Sequence, residues 1–255
     1  MLFLLIRPVL LAALRDRLLL ALPLFMAAAA AMASFISYAS LTEQQEMRAA
    51  VAGGSVRLIV VAGLVLFVVF HVRRSFDSRE VEMLLSRPIS RSTYVLACMA
   101  AFGALALLMA LVAVAVVAMV AAPSPLGLAL WGVSLVMELW VMAAAALFFS
   151  LSLPTATVSA LVCGGFYVLA RMIGVVLGAA HMGDPMRILH LADRIMDYVA
   201  VVVPRLDLFG QSSWLVYGYH GGAGEAPLWL LVVHGVGYVT LLVAAAVVDL
   251  RRREF

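Results

Sequence analysis

The sequence contains no lysine: all 17 of its Lys/Arg positions are arginine. That absence excludes an ATP site of the GxxxxGK[ST] kind in this chain, because the lysine that grips the phosphates has no candidate. Charge of either sign is also scarce, at 12% of residues against about 25% in a soluble domain. With 66% hydrophobic residues, the chain has too little polar surface to face water on all sides. The predicted class is an all-α polytopic membrane protein. Cysteine is limited to Cys98 and Cys163, both inside apolar runs and without CxxC or Cys/His spacing, so each reads as a small packing residue. The five histidines (His71, His181, His190, His220 and His234) form no HExxH or other compact ligand set. No metal site is expected. Ser150, Ser152 and Ser159 likewise lack a His/Asp partner or a GxSxG elbow.

What is present is long apolar runs with punctuation between them. A helix needs about 20 apolar residues to cross the hydrocarbon core. Six segments qualify: 18–38, 56–72, 94–121, 126–153, 158–180 and 228–248. Pro123 and Pro125 divide the third from the fourth, and Pro154 divides the fourth from the fifth. The N-terminal run is not a clean signal peptide, since Arg15 and Asp16 interrupt it and no small-residue cleavage site follows. Residues 4–17 read instead as an interfacial helix leading into the first span. Arginine counts in the short loops place both termini in the cytoplasm, with residues 73–91 on the same side. Arg57 falls at the edge of the second span on the opposite side, beside Arg48.

Residues 181–227 are expected to form an outer helical hairpin before the last span. Asp184-Pro185 reads as an N-cap and first helical position. Ile188, Leu191, Ala192, Ile195 and Val199 then recur at helical spacing up to Pro204. Trp214, Tyr217 and Tyr219 follow, residue types suited to the headgroup layer.

Two ionisable residues fall within spans, Glu138 in the fourth and Arg171 in the fifth. Each costs about 2.5–3.5 kcal/mol at mid-membrane on insertion scales, so each should face protein interior. Their depths agree to roughly 10 Å at about 1.5 Å per residue. The reading is a structural pair, with a substrate-facing charge as the functional alternative and partial snorkelling as the third. Gly164, Tyr167, Gly174 and Gly178 share a face around Arg171, and Gly174–Gly178 is a GxxxG. Such a face suits close helix packing, within one subunit or between two.

The most informative stretch is 73–91, RRSFDSREVEMLLSRPISR, a charged island between apolar runs. Phe76, Glu80, Met83 and Leu84 share one helical face, and Ser86-Arg87-Pro88 ends the helix. Interleaved acids and an apolar face are more than a positive-inside loop requires, so the segment reads as a cytoplasmic coupling helix that binds a soluble partner. The stretch EVEMLLSRPISRSTY, from Glu80 to Tyr94, resembles the loop of permease subunits of type-2 ABC exporters. In that family a segment of the form E…(G)TL…LLS-xP-(I/V)-S-R…Y…(G)K lies between the second and third spans. Glu80, Leu84, Leu85, Ser86, Pro88, Ser90, Arg91 and Tyr94 match it, while Val81-Glu82-Met83 and Cys98 depart from it. The N-terminal helix, the six spans and the hairpin carrying PRLDLF at 204–209 are similar to the family over the whole of residues 1–255, as one transmembrane domain.

The resemblance implies a transport subunit with no catalytic residue of its own. It implies a second permease copy or paralogue and cytoplasmic ABC ATPase subunits that bind ATP and Mg. Glu80, Glu82, Met83, Leu84, Arg87 and Arg91 would contact that ATPase. It further implies a bacterial inner membrane with its lipid, and no nucleic-acid partner. A haem-exporter-like permease of cytochrome c maturation is a neighbouring reading. An ATP-independent membrane scaffold or a small intramembrane enzyme is a reading of a different class.

Overall fold

The computed structural model describes residues 9–13, 15–38, 44–78, 90–182, 204–218 and 228–252, with side chains of 175–182 excepted. Among these, secondary structure is helical with no strand. The elements are α1 (Arg17–Ser37), α2 (Gln44–Asp77), α3 (Arg91–Ala121), α4 (Pro125–Ser152), α5 (Ala156–Met182), the short α6 (Ser213–Tyr217) and α7 (Leu228–Arg252). All but α6 are long and apolar enough to cross a membrane.

Local chemistry sets the boundaries. Asp16 adopts an extended conformation and its Oδ1 accepts from Leu18 N at 2.8 Å, which starts α1 and separates it from the helical residues 9–13. Residues 4–8 and 14 of the expected interfacial helix lie outside the described residues. Ser90 caps α3 by accepting from Thr93 N. Ala122 ends the same helix in the left-handed region, at φ 42°. Pro123 follows, and Ser124 caps α4 with Pro125 as its first residue. The α3–α4 and α4–α5 links are so short that these helices run antiparallel.

Several spans outrun the apolar segments that announced them. The second shows the largest difference: α2 has 34 residues, where only 56–72 reads as apolar. At about 1.5 Å per residue it is about 51 Å long, well beyond a hydrocarbon core of about 30 Å. Hydropathy marks where lipid ends, whereas helix formation continues through good formers such as Gln45, Glu46, Met47 and Arg48. Residues 73–77 of the charged island are accordingly the last turn of α2. α5 and α7 also extend past their predicted ends, to Met182 and Arg252.

The core is organised around α4, which packs against α2, α3, α5, α6 and α7. Residues 141–147 of α4 are buried on every side, the signature of a central helix. Four successive alanines, Ala143–Ala146, keep it slim enough for its neighbours to close around it. α1 lies outside, against α2 and α3, with large exposed residues Leu20, Leu24, Phe25, Met32 and Phe35. In lipid such a face needs no cover.

Candidate functional site

Glu138 sits roughly 20 Å along α4, at about 1.5 Å per residue, and is wholly buried. Its two oxygens serve two cations. Oε2 accepts from Arg57 Nη1 at 2.5 Å, and Oε1 accepts from Arg171 Nη1 at 3.2 Å. The structure thus brings together Glu138 and Arg171 and adds Arg57 from α2. Tyr167 of α5 lies within electrostatic range of the same carboxylate.

Arg57 is 1% exposed, which for a guanidinium demands dense compensation. Besides Glu138, Nη1 donates to Phe209 O at 2.8 Å. Nη2 donates to Ser134 Oγ at 2.9 Å and to Trp131 O at 3.3 Å. Ser134 Oγ itself donates to Trp131 O, which fixes the hydroxyl as an acceptor for the arginine. The Trp131 ring adds its face, 5.0 Å from the guanidinium carbon. Arg171 is less enclosed, at 28% side-chain exposure. Its other donors reach Leu206 O at 3.3 Å and Gly210 O at 3.4 Å.

Two guanidinium groups around one carboxylate leave an excess of positive charge. Main-chain carbonyls of the 204–212 segment supply the missing negative ends. That segment coils through successive reverse turns, with Leu208 N to Arg205 O, Phe209 N to Leu206 O and Gly210 N to Asp207 O. The Phe209 carbonyl, which accepts in none of these turns, points at Arg57, and the Gly210 carbonyl, which also accepts from Ser212 N, points at Arg171. Leu206 N donates to Ala170 O and anchors the segment on α5, while the Leu206 and Phe209 side chains are buried. A Cβ at Gly174 would overlap the Asp207 carboxylate, and one at Gly210 would overlap the Arg171 guanidinium. Only glycine permits both approaches. Arg205 completes the segment by pairing with Asp207 at 3.1 Å.

α6 then locks the segment in place. It fits between α2 and α4, with Leu215 over Gly53 and the Trp214 backbone over Gly127. Trp214, a residue type suited to the headgroup layer, is thus enclosed by protein, at 0% exposed. Glycine notches on two helices draw this aromatic residue inward, and Tyr217 remains exposed. Within the chain, the glycines of the α5 face have different neighbours. Gly174 receives a turn side chain instead of a helix, while Gly164 is exposed with nothing within 4 Å of a Cβ placed there. Gly178 is helical, but its surroundings lie outside the described residues.

At the other end of the bundle, Arg91 Nη1 donates to Leu250 O at 3.0 Å and Arg251 O at 3.1 Å. Arg251 Nη2 returns a bond to Ser92 Oγ at 2.7 Å. This position, read from sequence as a partner contact, ties the start of α3 to the end of α7. Glu80, Glu82, Met83, Leu84 and Arg87 lie outside the described residues, as do Ile188 and Ile195. His71 stacks on Phe67 and meets the edge of Phe102, and His234 Nδ1 lies 3.1 Å from Leu230 O. Among the described residues no cluster of His, Cys, Asp or Glu could hold a metal ion. Cys98 and Cys163 are free and buried.

Sequence reasoning missed Arg57 as a member of this site. Placed at the edge of a short span, it counted as a loop charge. Its helical neighbours carried the signal: Gly53, Val60, Val61 and Leu64 at i−4, i+3, i+4 and i+7 form one apolar stripe through it. All four are buried. The cluster holds three spans and a turn in one hydrogen-bonded arrangement. No protein-family model matches the sequence, and no curated protein matches it.

Proposed function

We propose that this chain is the membrane permease subunit of an ATP-driven exporter, working with a separate cytoplasmic ATPase. The observation that carries the reading is the 73–91 segment, whose Glu80–Tyr94 pattern resembles the coupling loop of type-2 ABC permeases and which joins two spans of a six-span helical chain. In this reading the chain lies in a bacterial inner membrane with both termini cytoplasmic. The ATPase binds ATP and Mg and docks on Glu80, Glu82, Met83, Leu84 and Arg87.

The proposal gives the buried cluster a mechanical role. α2 is one uninterrupted helix from Arg57 to Asp77, a lever of about 30 Å at 1.5 Å per residue. Its far end enters the coupling segment, and Arg57 grips both α4 and the 204–212 turn. Movement imposed on the coupling segment by ATP binding is delivered to that turn, which roofs the outer end of the path. Arg171 is the partly exposed member of the cluster, and a charge open at that depth faces a hydrated path or a partner subunit, because lipid would penalise it. The uncovered face of α5, with Leu161, Gly164, Gly165 and Val168, is where a second copy would close such a path.

The test is purification of the tagged chain from its native membrane in mild detergent. The expected result is an ATPase subunit in stoichiometric yield whose hydrolysis rate changes on reconstitution with the chain. A chain that purifies alone, with no associated nucleotide hydrolysis, would contradict the reading.

A further inference from the structure

A cavity of about 410 Å³ opens between residues 12–16 and the last turns of α2, within the size range of small-molecule sites. Its lining mixes two chemistries. Arg15, Arg74, Ser75 and His71 supply polar groups, whereas Phe70 and Ala12 supply apolar ones. The single acid in the wall, Asp16, is committed to capping α1 through Leu18 N. Among the described residues neither Arg15 nor Arg74 has a carboxylate within 4 Å, and both are exposed. Two guanidinium groups without an ion pair among the described residues therefore line one opening.

Its level along the bundle identifies the ligand. Arg15 lies just before the first residue of α1, and Arg74 follows Val72, the last buried apolar residue of α2. The cavity thus straddles the boundary where apolar spans give way to charge. Phe70, half exposed, marks its apolar side. We propose that this cavity binds the headgroup of an anionic glycerophospholipid. The phosphate sits between Arg15 and Arg74, with Ser75 as a neutral donor and the acyl chains running past Phe70. Guanidinium forks match phosphate oxygens in pairs, and basic pockets at the cytoplasmic side of spans suit such headgroups. A free phosphate would satisfy the arginines but leave the apolar wall without a partner. The site would fasten residues 9–15 and α2 to the same lipid, next to the segment that follows Asp77. It rests on the chain spanning a membrane with this end cytoplasmic, and not on the exporter reading.

The test is native mass spectrometry of the purified full chain with phosphatidylglycerol, phosphatidylcholine or inorganic phosphate added in turn. Phosphatidylglycerol should be retained at one equivalent above background, with phosphatidylcholine and phosphate retained at background level. The double change Arg15→Gln and Arg74→Gln should weaken that retention on the order of tenfold or more, since each basic group near an anionic surface contributes about one kcal/mol. Arg252→Gln, an exposed arginine outside the cavity at the same end, should leave retention unchanged. Equal loss from Arg252→Gln would reduce the effect to diffuse electrostatics, and phosphate competing as well as the lipid would make the site one for a free anion. Absence of retained lipid in the unaltered chain would overturn the proposal whether or not the variants fold.

Discussion

Arg57, Glu138 and Arg171 do not contribute alike, and their surroundings rank them. Arg57 makes four donor contacts in full burial, whereas Arg171 makes three longer ones and keeps partial exposure. Leaving a buried charge without its partner costs about 3–5 kcal/mol. Glu138→Gln is therefore expected to lower the unfolding temperature in detergent more than Arg171→Gln does, because it leaves two cations facing each other. A simple Glu138–Arg171 pair predicts that removing both charges restores stability. The three-membered cluster predicts the opposite: Arg171→Leu with Glu138→Leu still strands Arg57, so the double variant should be no more stable than Arg171→Leu alone. Recovery in the double variant would show that Arg57 is compensated by backbone carbonyls alone. At a different position, Ala122 holds a left-handed conformation that costs an L-residue about 1 kcal/mol. Ala122→Gly should raise stability by up to about that amount, less the greater freedom glycine has when unfolded. A lower unfolding temperature would mean that the α3–α4 turn relaxes elsewhere.

Elements meet through small residues at specific points. Gly174→Ala should push Asp207 and the 204–212 turn off α5, at about 1–3 kcal/mol for an overpacked contact. Gly164→Ala, on an open face of the same helix, should be neutral in the isolated subunit. Thermal unfolding of the two variants side by side checks the contrast, and equal losses would remove the turn from the account. Much of this arrangement was legible beforehand. Pro123, Pro125 and Pro154 placed the breaks, and the apolar runs placed six long helices. Helix ends were not, since α2 continues through polar residues that hydropathy treats as loop. Arg57 was hidden by the same effect: a span drawn only over apolar residues puts its own buried charge outside. Trp214 escaped for another reason. Its residue type favours an interface, but Gly53 and Gly127, far off in sequence, create the hollow that takes α6. Pairings of that kind are tertiary, and no local pattern announces them.

For the whole molecule, Arg57 of the buried cluster and residues 73–77 of the charged segment stand at different levels of one continuous helix. The bundle is tied at its far end as well, by the reciprocal bonds of Arg91 and Arg251 across α3 and α7. A cation at a helix C-terminus contributes about 0.3–1 kcal/mol, so Arg91→Ala should loosen the end of α7 without unfolding the bundle. Faster hydrogen exchange confined to the last turn of α7 is the expected readout, and exchange unchanged there would mean that the bonds carry no weight. In the proposed exporter, the segment after Asp77 is where a cytoplasmic ATPase takes hold. A crosslinker attached to Glu82→Cys in native membranes tests it most directly. The account predicts a single major adduct whose second component hydrolyses ATP and which is lost when Leu84 is changed to Asp. Adducts confined to lipid or to other copies of this chain, with no ATPase among them, would contradict it.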